Sequence, residues 1–190
     1  AEWIAWVKAA AREAGADDVG ICAFREDWSY NYRPHPQGKW AVVLAFKQSY
    51  EKMLSAPAAE AYVEVMGQYG RAGDSSKVLA NQIRARGHYA LAKTGPMTED
   101  VLMIPPAIAA GLGELGKHGS MIHKQFGSNF RLSMVLTDLP LEADAPEVFG
   151  ADLFCTSCQA CSNACPPDAI SREKKMVRGT PKWYVDFDKC

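Results

Sequence analysis

The chain has 190 residues, of which 48% are hydrophobic, and its formal net charge is −1. This length suits one medium domain, or one domain with a small appendage, and the composition is that of a globular protein. The near-neutral charge gives no electrostatic case for binding nucleic acid, and no apolar run reaches the roughly 18–20 residues that a membrane span needs.

Hydrophobic patterning in the first part of the chain predicts helices and strands that build a layered domain. The first helix is expected over residues 3–14 and ends at Gly15. A short buried strand follows over 19–23. After a loop over 28–39, the continuous apolar run 40–46 is typical of a central strand.

Two separate helices are predicted in the middle of the chain, over residues 57–68 and 75–86. Asp74 and Ser75 are the candidate N-caps of the second helix, because their side chains can accept backbone N–H groups. Gly87 is the expected end of that helix.

The region after Gly87 alternates short apolar runs with turn residues. Two prolines interrupt the run 101–104, and a helix then enters a glycine-rich turn. An acidic, proline-bearing linker is expected over 138–152. The pattern predicts an α/β or α+β domain over residues 1–145 and a small metal module over 146–190. Further strands are predicted over 88–91, 120–122 and 131–137.

Four of the six cysteines lie within eleven residues, in the pattern C-x2-C-x2-C-x3-C-P. This is the spacing of bacterial ferredoxins, in which short loops direct successive soft thiolates at one iron–sulfur cluster. Zinc sites more often use two separated C-x2-C pairs or mixtures of Cys and His. The pattern therefore predicts a [4Fe-4S] site and disfavours zinc. Its cysteines are Cys155, Cys158, Cys161 and Cys165.

The last cysteine of such a run ligates a second cluster in two-cluster ferredoxins. Cys165 then predicts a second cluster, to which Cys190 is a further ligand. The remaining ligands are missing, so we expect the chain to be a portion of a longer protein that holds two clusters. The alternative is one cluster, held by the first three cysteines of the run and either Cys165 or Cys190. Cys22, in an apolar strand pattern, is expected to be a buried inert thiol.

The segment from Gly111 to Gly116 satisfies the pattern G-x-G-x-x-G, and Asp138 lies 22 residues beyond it. In dinucleotide-binding folds the first glycine directly follows a strand. Here two prolines and a helix-like stretch precede it, so nicotinamide binding is disfavoured. The glycines are better explained by the close approach of some other large cofactor.

Three stretches together resemble the cobalamin-dependent reductive dehalogenases, which are related to the epoxyqueuosine reductases. They are residues 109–142, residues 154–170 (FCTSCQACSNACPPDAI) and residues 182–190 (KWYVDFDKC). The resemblance implies an α+β fold, with a nitroreductase-like cobalamin-binding domain over 1–145. It also implies a ferredoxin-like [4Fe-4S] module over 146–190, whose second cluster motif is cut off.

The resemblance implies an oxidoreductase that removes halogen from a small organohalide, using cobalamin reduced through two [4Fe-4S] clusters. It also implies an external electron donor such as ferredoxin or flavodoxin. Neither nucleic acid nor a membrane span is expected. We expect a cytoplasmic location, with export after removal of a signal as the alternative.

In the family a tyrosine supplies the proton, and a neighbouring Arg or Lys favours the phenolate by its charge. These catalytic roles fall on Tyr69 in MGQYGRAG and on Arg131 in FGSNFRLS. The cluster ligands fall on Cys155, Cys158, Cys161, Cys165 and Cys190. The turn that contacts the corrinoid falls on Gly111, Gly113, Gly116, Lys117, His118, Gly119 and Ser120.

Several of these residues have a simpler interpretation. Tyr69 could be a plain surface or core tyrosine, and Arg131 an exposed strand residue. Lys117 either contacts a corrinoid phosphate or faces solvent. His118 and His123 are expected to be polar residues rather than cobalt ligands, because relatives commonly hold the corrinoid without a protein histidine.

Two other functions compete with dehalogenation. An epoxyqueuosine-type reductase is disfavoured because the stretch MIPPAIAAGLG, residues 103–113, lacks the Glu-Arg pair that those enzymes carry before AGLG. The second alternative is a non-catalytic protein that carries electrons or a corrinoid.

Overall fold

A computed structural model describes residues 2–33, 36–95, 100–177 and 179–190. The chain forms two compact units, each assembled from two separate segments. The cysteine run shares its unit with Gly113–Ser128, a grouping that a single boundary near residue 145 does not anticipate. Unit 1 comprises Ala1–Leu112 and Asn129–Pro146, and unit 2 comprises Gly113–Ser128 and Glu147–Cys190.

Unit 1 is built on a four-stranded sheet in the order β1-β2-β6-β3. Every pair of neighbouring strands is antiparallel. The four strands predicted for this part of the chain are confirmed with bounds that differ by at most two residues, and β3 is shifted by two residues at both ends. The strands are β1 (Asp18–Ala23), β2 (Trp40–Lys47), β3 (Ala90–Lys93) and β6 (Phe130–Thr137).

Helices cover both faces of this sheet, which explains why β2 is an unbroken apolar run. Helices α1 and α3 pack on one face, and α4 packs on the other. Gly20 of β1 leaves no room for a side chain, because an added Cβ would lie 2.3 Å from the Ala110 carbonyl oxygen. The helices are α1 (Glu2–Glu13), α2 (Tyr50–Leu54), α3 (Ala59–Arg84) and α4 (Ile104–Ala109).

The prediction of two helices in the middle of the chain is wrong, because α3 runs unbroken for 26 residues. Asp74 and Ser75 lie inside it rather than at a start. The Ser75 hydroxyl donates to the Ala14 carbonyl oxygen at 2.6 Å. That hydroxyl therefore ties α3 to the end of α1, a tertiary contact that a local capping rule cannot foresee. Gly87, with φ of +83°, follows the end of the helix as predicted.

The predicted linker is partly packed against unit 1. Asp144 accepts a hydrogen bond from the Lys8 ammonium at 2.6 Å and another from the Ile21 backbone at 2.8 Å. Leu139 and Leu141 are buried. The stretch before residue 147 is therefore held to β1 and α1 although it contains no helix or strand.

Unit 2 consists of two small hairpins and two short helices. The predicted strand over 120–122 is confirmed as β5, but it pairs with β4 and not with the large sheet. Within the described ranges, no helix has the length and apolar character to cross a membrane. The elements are β4 (Gly113–Leu115), β5 (Met121–His123), α5 (Ala151–Ser157), α6 (Ala160–Ala164), β7 (Lys175–Val177) and β8 (Thr180–Lys182).

Candidate functional site

The structure brings Tyr69 and Arg131 together within unit 1. Tyr69 lies on α3, and Arg131 lies on β6, where it pairs in register with Phe46 of β2. The guanidinium carbon of Arg131 is 4.8 Å from the centroid of the Tyr69 ring. Arg131 is thus a partly buried residue beside the tyrosine, and the interpretation of an exposed strand residue is wrong.

One N–H donor of the Arg131 guanidinium is unpaired within the described part of the chain. Arg131 Nη1 donates to the Phe130 carbonyl oxygen at 3.1 Å. Its Nε is buried and has no hydrogen-bond partner among the residues that the structure describes. Buried donors are almost always satisfied in folded proteins, so this nitrogen calls for a partner such as a water molecule or a bound group.

A groove of about 300 Å³ opens beside Tyr69. Gly70 and Gly73 of α3 form part of its wall together with Met66. A Cβ added at Gly70 would meet no atom within 4 Å. The space next to the tyrosine is therefore left open by the side chains of this chain.

The cysteine run occupies the two short helices of unit 2. Cys155 is buried within α5 and Cys161 is half-buried within α6, whereas Cys158 and Cys165 directly follow those helices. All of the cysteines are free thiols, and Cys190 is exposed. The Ala169 backbone N–H donates to Cys165 Sγ at 3.4 Å.

The fit of this segment to a cluster rests on its donor chemistry. In the described ranges, no three His, Cys, Asp or Glu side chains gather into a group that could hold a metal ion. Four thiols at ferredoxin spacing nevertheless lie on, or directly after, two consecutive short helices, and none of them forms a disulfide. Soft donors in this number fit an iron–sulfur cluster.

Cys22 is confirmed as a buried thiol of β1, with 2% of its surface exposed. Its Sγ donates to the Pro106 carbonyl oxygen at 3.4 Å. Burial, followed by the negative charge of Asp144, raises the pKa of Cys22 to about 12. A thiol held protonated in this way is a poor metal ligand and a poor nucleophile.

The glycine-rich segment is a turn and a hairpin, not a dinucleotide-binding loop. Helix α4 precedes Gly111, which has φ of +79°, and strand β4 begins at Gly113. A Cβ at Gly113 would lie 2.3 Å from the Ile122 carbonyl oxygen, and one at Gly116 would lie 2.9 Å from the Ile122 side chain. Gly119 has φ of +81°. Gly111 and Gly119 have the positive φ of turn residues, and Gly113 and Gly116 are explained by close packing within the hairpin, so corrinoid contact stays a prediction.

The two histidines of this hairpin make local hydrogen bonds. His118 Nδ1 accepts from the Ser120 backbone at 3.0 Å, and its Nε2 lies 2.9 Å from the Ser128 hydroxyl. Burial lowers the pKa of His118, which favours the neutral ring that this pattern requires. His123 is buried, and its Nδ1 accepts from the Gln125 backbone at 3.1 Å. These contacts support the expected polar role for both residues.

Glu114, which the sequence did not single out, holds the start of the cysteine-bearing helix. Its carboxylate accepts the backbone N–H groups of Phe149 at 2.8 Å and of Ala151 at 2.9 Å. Burial alone would raise the pKa of Glu114, but backbone N–H groups from Phe149 to Asp152 outweigh it and hold the pKa below its usual range. A distant carboxylate therefore caps α5.

The Glu114→Gln substitution is expected to lower the free energy of unfolding by about 2 kcal/mol at pH 7, because the charged hydrogen bonds at the start of α5 are lost. Folding lowers the pKa of Glu114. The stabilisation by its carboxylate is therefore present above the pKa of about 4.3 in the unfolded state, and it is lost as pH falls through the pKa of the folded state. Urea unfolding at a series of pH values from 7 down to 3 measures both effects.

Glu147→Gln is the matched control, since Glu147 is an exposed residue of the same unit that pairs with Lys124. Its effect should be within about 0.5 kcal/mol. Equal losses in the two variants, or an unchanged pH dependence in Glu114→Gln, would contradict the capping role.

Comparison with known proteins identifies the relatives. No family model matches the sequence. A tetrachloroethene reductive dehalogenase of Desulfitobacterium hafniense is 32% identical over 191 residues, which cover 93% of this chain and 33% of the relative. An epoxyqueuosine reductase of Leadbetterella byssophila is 44% identical, but over 81 residues that cover 43% of this chain and 22% of the relative.

Solved structures agree with these relatives. The catabolic reductive dehalogenase NpRdhA, in complex with 3-bromo-4-hydroxybenzoic acid, has a TM-score of 0.89 at 30% identity and matches 97% of this chain. A reductive dehalogenase structure described as suggesting a mechanism for B12-dependent dehalogenation has a TM-score of 0.88 at 29% identity, again over 97% of this chain. In both cases the match covers 28% of the solved chain.

The structure combines a fold of mixed helices and strands with four free thiols at the spacing of bacterial ferredoxins. Over nearly its whole length the chain is similar to reductive dehalogenases. It spans about a third of the length of the curated relatives that it matches first.

Proposed function

We propose that the complete protein is a reductive dehalogenase that replaces a halogen of a small organohalide by hydrogen. The contact between Tyr69 and Arg131 carries the proposal, because it provides a proton donor beside a fixed positive charge. The similarity of the chain to reductive dehalogenases supports the same reaction. The names of relatives span a chloroethene and a bromohydroxybenzoate, so the particular organohalide stays open.

The overall reaction consumes two electrons and one proton, and it converts a carbon–halogen bond into a carbon–hydrogen bond with release of halide. In our proposal the Tyr69 hydroxyl gives the proton to carbon. The Arg131 guanidinium stabilises the phenolate that remains, since opposite charges attract at short range. Cobalamin, when bound, supplies the reducing power, and the open groove beside Tyr69 admits the substrate.

The finer assignments of fold and cofactor belong to the same proposal. Unit 1 would be the nitroreductase-like part, and unit 2 would be the ferredoxin-like part. The first three cysteines of the run would hold one [4Fe-4S] cluster, and Cys165 and Cys190 would serve a second. The turn from Gly111 to Ser120 would contact the corrinoid. A ferredoxin or flavodoxin would deliver the electrons.

The test is to purify the complete protein without oxygen, count iron and cobalt, and assay halide release from tetrachloroethene and from a bromohydroxybenzoate. Two clusters and a corrinoid predict about eight irons and about one cobalt per chain. Turnover of either substrate supports the proposal. Four irons or fewer with no cobalt, even after cobalamin is supplied, would favour an electron carrier instead.

A further inference from the structure

Lys117 is a buried ammonium group that has no carboxylate partner among the residues that the structure describes. Its side chain, on the turn after β4, has 0% of its surface exposed. Nζ donates to the Cys158 carbonyl oxygen at 2.9 Å and lies 4.6 Å from the centroid of the Trp183 ring. In the part of unit 2 that the structure describes, the ion pairs involve other lysines and not Lys117.

Burying a cation away from water is strongly unfavourable unless an anion compensates it. A neutral carbonyl group and an aromatic face offset only part of that cost. The sequence predicted that Lys117 contacts a corrinoid phosphate or faces solvent, and its burial rules out the second. The group that it holds is the backbone of Cys158, a residue of the cysteine run. The missing anion is therefore expected at that run.

We propose that Lys117 is the fixed counter-charge of the iron–sulfur cluster held by the cysteine run, and that it raises the reduction potential of this cluster. The inference rests on the proposed function, in which that cluster exists. One electron from an external donor adds one negative charge to the cluster. A nearby cation stabilises the reduced state more than the oxidised state, because attraction grows with charge.

Lys174 offers a matched comparison on the same aromatic ring. Its Nζ lies 5.3 Å from the Trp183 centroid, but it is paired with the Asp152 carboxylate at 2.6 Å. Asp152 also accepts the Trp183 indole N–H at 2.8 Å. The charge of Lys174 is thus largely cancelled by its partner, whereas the charge of Lys117 is not.

The experiment is a redox titration of the anaerobically prepared protein, followed by electron paramagnetic resonance of the reduced cluster. Lys117→Met is expected to lower the equilibrium constant for reduction on the order of tenfold, as for loss of one buried charge. Tenfold corresponds to about 59 mV for a one-electron couple. Lys117→Arg should restore most of the potential, and Lys174→Met should shift it much less.

The outcomes separate this inference from the proposed function. If the unsubstituted protein binds no cluster, the proposed function fails. If Lys117→Met carries the full cluster at an unchanged potential, only the role of Lys117 is overturned. If Lys117→Met loses the cluster, the comparison of Lys117→Gln with Lys117→Arg decides, because both keep a donor for Cys158 but only one keeps the charge. Equal potentials in that pair would overturn the inference.

Discussion

Replacing Tyr69 with phenylalanine is expected to lower dehalogenation about 10²- to 10⁴-fold in the enzyme loaded with its cofactors, the range that loss of a positioned proton donor gives. The substitution removes one oxygen atom and leaves the ring over which Arg131 lies. Folding and cofactor content should therefore stay close to those of the unsubstituted protein. The measurement is halide release per enzyme, with substrate held in excess.

Tyr62→Phe is the control for that experiment. Tyr62 lies on the same helix, seven residues earlier, and 66% of its surface is exposed. Its loss should leave turnover unchanged. Full activity in Tyr69→Phe would show that another group supplies the proton and would remove Tyr69 from the site.

Replacing Cys161 with alanine is expected to abolish the first cluster, because it removes one of the three thiolates that the run would contribute to it. Iron should fall by about four atoms per chain, and the visible absorbance of that cluster should disappear. Iron, zinc and acid-labile sulfide measured on one anaerobic sample give the result, and they also test the disfavoured zinc alternative.

Cys22→Ala provides the comparison, since it also removes one thiol. Cys22 is buried in β1 and bonded to Pro106, so its loss should leave the iron content intact. Equal iron content in the Cys161→Ala variant and the unsubstituted protein would contradict the assignment of the cysteine run as a cluster site. Zinc in place of iron and sulfide would favour the alternative site.

The strands of unit 1 were predictable because their residues are apolar on one or both faces and are bounded by turn residues. The continuity of α3 was not, because Asp74 and Ser75 carry a capping signal that local rules read as a helix start. The contact of Ser75 with Ala14 depends on how two helices pack. A tertiary contact thus overrode the local signal.

The candidate site divides in the same way. The cysteine run could be predicted because its candidate ligands are close in sequence. Tyr69 and Arg131 lie 62 residues apart, and they were paired only through a family resemblance. No local pattern marks Lys117 as buried or Glu114 as a cap. Both roles depend on the β4–β5 hairpin meeting the chain after residue 147.

The contact between the β4–β5 hairpin and the chain after residue 147 limits how the protein can be divided into fragments. A fragment cut at residue 147 would keep every cysteine of the run but would lack the carboxylate that caps α5 and the ammonium that holds Cys158. A chimera that exchanges the cysteine-bearing part between relatives must therefore transfer two segments from the same relative. These segments are Gly113–Ser128 and Glu147–Cys190.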